Sequence, residues 1–313
     1  MTSARVLAFD LGTESGRAVV ASFDGERLAL EEPHRFPNEP VRAFEGGRDR
    51  LYWNALGLLA EVKRGIGLAA ADVPLTSVGI DTWGVDFGLL DGAGCLLGMP
   101  YHYRDRRTTG MLAEASARVG REAIFAATGV QLLELNSLYQ LLALRRENPA
   151  QLEAARCLLM MPDLLHYWLT GRAAAEFTNA TTSQCYDPRA RDWARGLLNA
   201  LDLPVGIFPP AVSPGTVLER LLPAVGEATG ACGVPVIAVA THDTGSAVAG
   251  APLSEQCLWI SSGTWSIVGV EVHEPDLSSA ALTLGFGNEG GVGGTFRLCR
   301  NVAGLWLVQE CRR

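Results

Sequence analysis

No excess of positive charge marks this 313-residue chain: 26 Lys and Arg stand against 34 Asp and Glu, a formal charge of −8. Nucleic-acid binding draws much of its affinity from basic side chains on phosphates, so no nucleic-acid partner is expected. No apolar run approaches the roughly 18 residues that span a bilayer, so no membrane partner is expected either. No two cysteines have CxxC spacing. The seven, at positions 95, 157, 185, 232, 257, 299 and 311, are scattered and odd in number, which fits reduced thiols. The histidines at 34, 102, 166 and 273 fall in no ligand spacing, so zinc is not expected. The opening MTSARVLAFDLG meets an acid at Asp10 after few apolar residues, unlike a secretory leader. A cytoplasmic protein is expected, in which the sequon Asn179-Ala180-Thr181 is a coincidence.

What is present is core material. Apolar residues make up 48% and charged residues 19%, too apolar for a disordered chain. At roughly 150 residues per domain the length suggests about two domains. Short apolar runs read as strands at Val6–Asp10, Arg17–Phe23, Glu26–Leu30, Ser77–Asp81, Val85–Leu90 and Val234–Ala240, with turns at Asp24-Gly25 and Asp91-Gly92. Helical spacing covers 51–70, 108–118, 121–128, 137–147, 162–170 and 246–251. The alternation predicts an α/β fold.

An internal repeat carries more information. Residues 9–15 (FDLGTES) and 260–266 (ISSGTWS) align without gaps, bringing Gly12 onto Gly263 and Thr13 onto Thr264 at one offset of 251. Both copies sit between two apolar strands. They predict two related units, each opening on a glycine hairpin, that face each other across a cleft.

Three segments could carry chemistry. In DLGTESGR (10–17) an acid at a strand end precedes a turn of small residues, whose backbone N–H groups can converge on phosphate oxygens while the acid faces Mg²⁺. The plain alternative is a tight turn with a solvated acid. In THDTGSA (241–247) Asp243 follows a buried strand at the mouth of a helix, where α/β folds place catalytic groups, and it could take a proton from a hydroxyl. Helix capping by Thr241 or Asp243 explains the same pattern without chemistry. In GIDTWGVDF (79–87) Asp81, Trp83 and Asp86 surround Gly84, a combination suited to a sugar and equally to a hairpin with a half-buried Trp. YHYRDRR (101–107) adds a charged cluster after it, for which the plain alternative is a solvated loop. The literal GxGxxG at 285–290 lacks the strand–loop–helix unit of a dinucleotide site and reads as a glycine-rich loop near the cleft.

Together these segments resemble the FGGY family of carbohydrate kinases. In chain order the resemblance rests on DLGTESGR, GIDTWGVDF, YRDRR, LNSLYQL, LLMMPDLLHYWLTG, EFTNATTSQ, THDTGSA, SSGTWS, NEGG and RNVAGLWLVQE. It implies the actin-like ATPase or ribonuclease-H-like architecture, with a first domain over 1–244 and the start of a second over 245–313. It implies a kinase that uses ATP and Mg²⁺ to phosphorylate a small ketose, L-rhamnulose, at O1. Asp243 would be the catalytic base. Gly84, His242, Thr244 and Asn301 would join Asp243 in binding the sugar. Thr13, Glu14, Ser15, Gly16 and Arg17 would form the first phosphate hairpin, with Thr264 in the second, Gln309 near the nucleotide and Asp10 near the metal. Only 43 residues follow position 270, so the second domain is expected to be incomplete and the adenine side of the cleft absent. A catalytically incomplete sugar-binding fragment, or another kinase of the family such as one for xylulose or glycerol, are the alternatives. The truncated unit is also expected to expose apolar surface.

Overall fold

The computed structural model describes residues 4–71, 73–254, 257–263, 265–305, 307–308 and 311. A six-stranded sheet organises the first part of the chain, in the order Thr216–Arg220, Pro235–Ala238, Ser77–Thr82, Ala4–Leu11, Ser15–Phe23 and Leu28–Pro37. Its three central strands run parallel and the outer ones antiparallel. The central strands read as near-continuous apolar runs because both faces are covered. On one face lies the helix Ala55–Ala70, capped by Asn54, whose Oδ1 accepts from the Gly57 N–H at 3.0 Å. It buries Ala55, Leu58, Val62, Ile66 and Ala69 at helical spacing. Gly65 is required there: a Cβ would stand 2.6 Å from the Phe9 ring.

Helices Met111–Val119, Arg121–Thr128 and Ser137–Glu147 build a second core around Leu138, Leu142, Tyr139 and Leu198, while helix Met161–Thr170 sends Met161, Leu165 and Leu169 into the core of the six-stranded sheet. A four-stranded sheet follows, in the order Trp259–Ser262, Trp265–Val272, Phe296–Ala303 and Gly287–Gly290. It is docked on the second core. Phe296 belongs to the core and packs edge-on against Phe177. The Gly290 N–H donates to Thr181 Oγ1 at 2.7 Å, and Asn288 Nδ2 donates to the Gly129 carbonyl at 3.0 Å.

Several elements differ from expectation for local reasons. The third strand reaches Pro37 rather than stopping at Leu30, and the hairpin Val41–Glu45 with Arg48–Tyr52 carries no hydrophobic alternation that would have announced it. That hairpin takes residues 51–52, so the first helix begins at Ala55. The strand expected from Val85 begins at Phe87, because Val85 sits at φ +70. The helix expected from Ser246 begins at Asp243. YHYRDRR is not a solvated loop: His102, Asp105 and Arg107 are buried, and both Arg107 terminal nitrogens donate to Gln140 at 2.7 Å. The two glycine hairpins are both present. Four residues separate the paired Leu11 and Gly16 in the first, and three separate Ser262 and Ser266 in the second. Ile260 and Val302 of the small sheet are exposed, as are Leu258 just before it and Leu284 on the helix Ser279–Leu284. Among the described residues no helix is long and apolar enough to cross a membrane.

Candidate functional site

The parallel strands end at one edge. Asp10 lies opposite Asp81, and the Thr82 N–H donates to the Thr241 carbonyl at 2.9 Å, which extends the sheet into the loop before Asp243. Carboxyl ends of parallel strands are where α/β folds bind ligands. Here they open into a cleft of about 330 Å³ whose far wall is the four-stranded sheet, and which is large enough for a small polar substrate.

Asp243 opens the helix Asp243–Gly250 and faces this cleft. Its Oδ1 accepts from the Thr244 N–H at 2.6 Å and from Thr244 Oγ1 at 3.2 Å. His242 Nε2 lies 3.3 Å from the same oxygen. Oδ1 is thereby occupied, and Oδ2 is the oxygen available to a substrate. Behind His242 stand Arg297, fully buried, and Glu289. Arg297 Nη2 is 2.9 Å from His242 Nδ1 and 3.2 Å from Glu289 Oε2.

The loop that carries Asp243 is fixed from beneath by a buried carboxylate. Glu176 Oε2 accepts from the Thr241 N–H at 2.9 Å, from Thr241 Oγ1 at 2.7 Å and from Thr178 Oγ1 at 2.5 Å. Its Oε1 accepts from the Thr178 N–H at 2.9 Å. Asn179 Nδ2 donates to the Thr241 carbonyl at 3.2 Å. Burial raises the Glu176 carboxyl, while these donors pull it back.

A second support shapes the part of the cleft wall formed by Trp83, Gly84 and Val85. The Val85 N–H donates to Thr182 Oγ1 at 3.0 Å, and the Val85 carbonyl accepts from Gln140 Nε2 at 3.2 Å. These bonds hold a β-branched residue at positive φ, a costly conformation that persists where neighbours over-determine it. Gly84 presses on the same threonine: a Cβ there would meet Thr182 Oγ1 at 2.8 Å. Asp86 anchors the aromatic wall, accepting from Trp53 Nε1 at 2.6 Å, Trp83 Nε1 at 3.0 Å, Gln140 Nε2 at 2.7 Å and the Tyr103 N–H at 3.2 Å. Burial nonetheless pushes its carboxyl up to about 6.

At the first hairpin Arg17 donates through Nε at 2.9 Å and Nη2 at 2.6 Å to Asp10 Oδ2. Asn38 ties the turn down, with Nδ2 on the Gly12 carbonyl at 2.8 Å and its N–H on the Glu14 carbonyl at 3.0 Å. Asp81 Oδ1 is buried without a donor among the described residues, and burial together with the charges of Asp10 and Asp243 lifts this carboxyl well above the usual range. A divalent cation would relieve that concentration of negative charge, so the acids at this edge fit Mg²⁺. Among the described residues no three acidic, His or Cys side chains gather to ligate a metal by themselves.

Of the residues singled out from sequence, the structure brings Thr13, Gly84, His242, Asp243, Thr244 and Asn301 into the cleft wall. Asp10, Glu14, Ser15, Gly16 and Arg17 belong to the first hairpin but do not line the cleft, and Gly16 is packed under the Phe36 ring. Thr264 and Gln309 lie outside the described residues. Asn301 is oriented by Gln131, whose Oε1 accepts from its Nδ2 at 3.1 Å. Sequence reading assigned no role to Gln131, Glu176, Thr182, Glu289 or Arg297. An acid eight residues before an arginine, across a glycine turn, is the one signal that could have exposed the last pair.

Comparison with known proteins agrees with this architecture. The model of the FGGY family of carbohydrate kinases, N-terminal domain, matches residues 5–250, and the chain belongs to that family. It is 43% identical over 307 residues to a rhamnulokinase of Bacteroides thetaiotaomicron, covering 97% of this chain and 62% of the relative. A rhamnulokinase of Pectobacterium atrosepticum is 42% identical over 316 residues, with 99% and 62% covered. The chain thus spans under two thirds of the length of the curated relatives it matches. A ligand-bound xylulose kinase from Lactobacillus acidophilus superposes with a TM-score of 0.87 at 15% identity, over 99% of this chain and 62% of that one. The fold is the actin-like ATPase architecture of the sugar kinases.

Proposed function

Starting from membership of the FGGY family, we propose that the chain carries the sugar side and the catalytic base of an ATP-dependent ketose kinase acting on L-rhamnulose at O1. The observation that carries the reading is Asp243. Its Oδ1 is taken up by Thr244, beside His242 Nε2, and Asp243 lines a cleft bounded by Thr13 of the first hairpin and Gly263 of the second. Identities above 40% to two rhamnulokinases favour L-rhamnulose over xylulose or glycerol as the acceptor.

Asp243 Oδ2 accepts the O1 proton as the bond from O1 to the γ-phosphorus of ATP forms. The bond from that phosphorus to the β,γ-bridging oxygen breaks in the same step, and its electron pair leaves with ADP. Gly84, His242, Thr244 and Asn301 orient the sugar. Thr13, Glu14, Ser15, Gly16 and Arg17 present the first hairpin to the phosphates, with Thr264 and Gln309 assigned to the second hairpin and the nucleotide. Asp10 would hold Mg²⁺, through water. That ion neutralises charge on the transferring phosphoryl group when bound. Need for ATP places the reaction in the cytoplasm.

A coupled assay tests this. L-Rhamnulose should turn over well ahead of xylulose and glycerol, and Asp243→Asn should abolish turnover while leaving the thermal melt unchanged. Undiminished turnover in Asp243→Asn removes the assigned base. Stabilisation by the sugar with none by ATP, and no turnover, would support a sugar-binding role instead.

A further inference from the structure

Two charged residues of the small sheet reach the catalytic loop of the large one. Glu289 on Gly287–Gly290 and Arg297 on Phe296–Ala303 are direct cross-strand partners. Their side chains leave their own sheet and close on His242. Arg297 is fully buried, its Nε donates to the Gly290 carbonyl at 3.0 Å, and its Nη2 sits 2.9 Å from His242 Nδ1. A guanidinium has donors and no acceptor, and it stays charged. His242 Nδ1 must therefore be the acceptor, which leaves the imidazole proton on Nε2. That nitrogen lies 3.3 Å from Asp243 Oδ1.

We propose that Arg297, with Glu289 as its counter-charge, is a positioning residue that locks His242 as the neutral Nε2–H tautomer. The locked ring keeps its protonated nitrogen 3.3 Å from Asp243 Oδ1, the oxygen that already accepts from Thr244, and so favours Oδ2 as the oxygen that takes the substrate proton. The inference rests on the reading of Asp243 as the base. Glu289 explains why the guanidinium can be buried at all, because an isolated buried charge would be strongly unfavourable. It also makes the choice of tautomer consequential. Glu289 Oε2 is 3.3 Å from the same Nδ1, so without Arg297 it would attract a proton onto that nitrogen. The charged groups facing His242 are then Asp243 from its own helix, Glu289 and Arg297 from the small sheet, and Glu176 beneath Thr241. An ion pair serving packing alone would leave the ring free to carry its proton on either nitrogen.

The test is the ¹⁵N spectrum of the imidazoles in protein labelled at its five histidines, with His242→Asn for assignment. In the unaltered chain Nδ1 of His242 should be unprotonated and Nε2 protonated at neutral pH. In Arg297→Met the proton should move to Nδ1, and kcat should fall about tenfold with little change in the KM for ATP. Arg297→Lys, which keeps a charged donor, should restore the tautomer and most of kcat. If Arg297→Met does not fold, the double variant Arg297→Met/Glu289→Gln removes both charges together and should lose the Nε2–H preference. A protonated Nδ1 in the unaltered chain, or an unchanged tautomer in a folded Arg297→Met, overturns the proposal. Spectrum and turnover separate the two claims. The expected tautomer without turnover in any variant removes Asp243 as base, and turnover with a protonated Nδ1 removes the role of Arg297.

Discussion

Replacing Glu176 by alanine should destabilise the chain strongly although the residue lies behind the cleft and touches no substrate. The carboxylate accepts from the backbone N–H groups of Thr178, Asn179 and Thr241, at 2.9, 3.4 and 2.9 Å, and from two threonine hydroxyls. The hydroxyls can rotate toward other acceptors, but the three buried N–H groups cannot. Each unsatisfied donor costs roughly 1–3 kcal/mol, so Glu176→Ala should lose about 4 kcal/mol. Glu176→Gln is gentler. Its amide oxygen can take the place of Oε2 and keep the Thr241 contacts, leaving one N–H, that of Thr178, against the amide nitrogen. That single mismatch costs about 2 kcal/mol. Urea unfolding followed by tryptophan fluorescence is the assay. With m near 3 kcal/mol/M the alanine midpoint should fall by about 1.3 M and the glutamine midpoint by about half as much, at unchanged m. Turnover should fall in the same order, because the Thr241 N–H lies two residues before Asp243. An alanine midpoint within about 0.3 M of the parent would refute the claim that Glu176 secures this loop.

Gly84→Ala should cost about 1–3 kcal/mol by overpacking, since its Cβ meets Thr182 Oγ1 at 2.8 Å and Cγ2 at 3.0 Å. Thr182→Ser, which removes Cγ2 and keeps the hydroxyl, should recover part of that loss in a double-mutant cycle, and strict additivity would sink the steric account. His166 is buried with no partner for either nitrogen among the described residues, and burial lowers it from 6.5 to about 4. The unfolded chain therefore binds that proton first, so stability should be retained above pH 6.5 and fall by up to about 3 kcal/mol toward pH 4. His166→Met should flatten that slope, and an unaltered slope would show that another group sets it. Arg17→Ala breaks an ion pair whose side chains are 47% and 39% exposed, so stability should change by no more than about 0.5 kcal/mol. The KM for ATP should rise in the same variant; a large stability loss with an unchanged KM would make Arg17 structural rather than a phosphate ligand.

Asp10, Gly84 and the trio 242–244 were legible because strand ends, glycine turns and helix starts leave marks within a few neighbouring residues. Val6–Asp10 and Ser77–Asp81 are short apolar runs stopped by an acid, and each became a central strand ending at the cleft. The glycine repeat announced two facing hairpins for the same reason. Local pattern did not reveal the hairpin Val41–Glu45 with Arg48–Tyr52, whose first strand is wholly exposed and so needs no alternation. Nor did it show that His102, Asp105 and Arg107 are buried, because whether Asp105 and Arg107 meet water depends on Leu51 and Gln140, each more than thirty residues from its partner.

The sequence by itself determined the alternation of strands and helices, the two hairpins and the acid that opens the helix at Asp243, since these depend on backbone preference and periodicity along a few turns of chain. Only the tertiary structure decided which groups surround that acid. Glu176 comes from 65 residues upstream of Thr241 and Arg297 from 55 residues beyond His242. Whether a carboxylate caps a helix or anchors a catalytic loop, and whether an arginine is solvated or buried against an imidazole, is set by long-range packing and strand register. Those determine desolvation and donor direction, the two quantities on which the chemistry of the cleft depends.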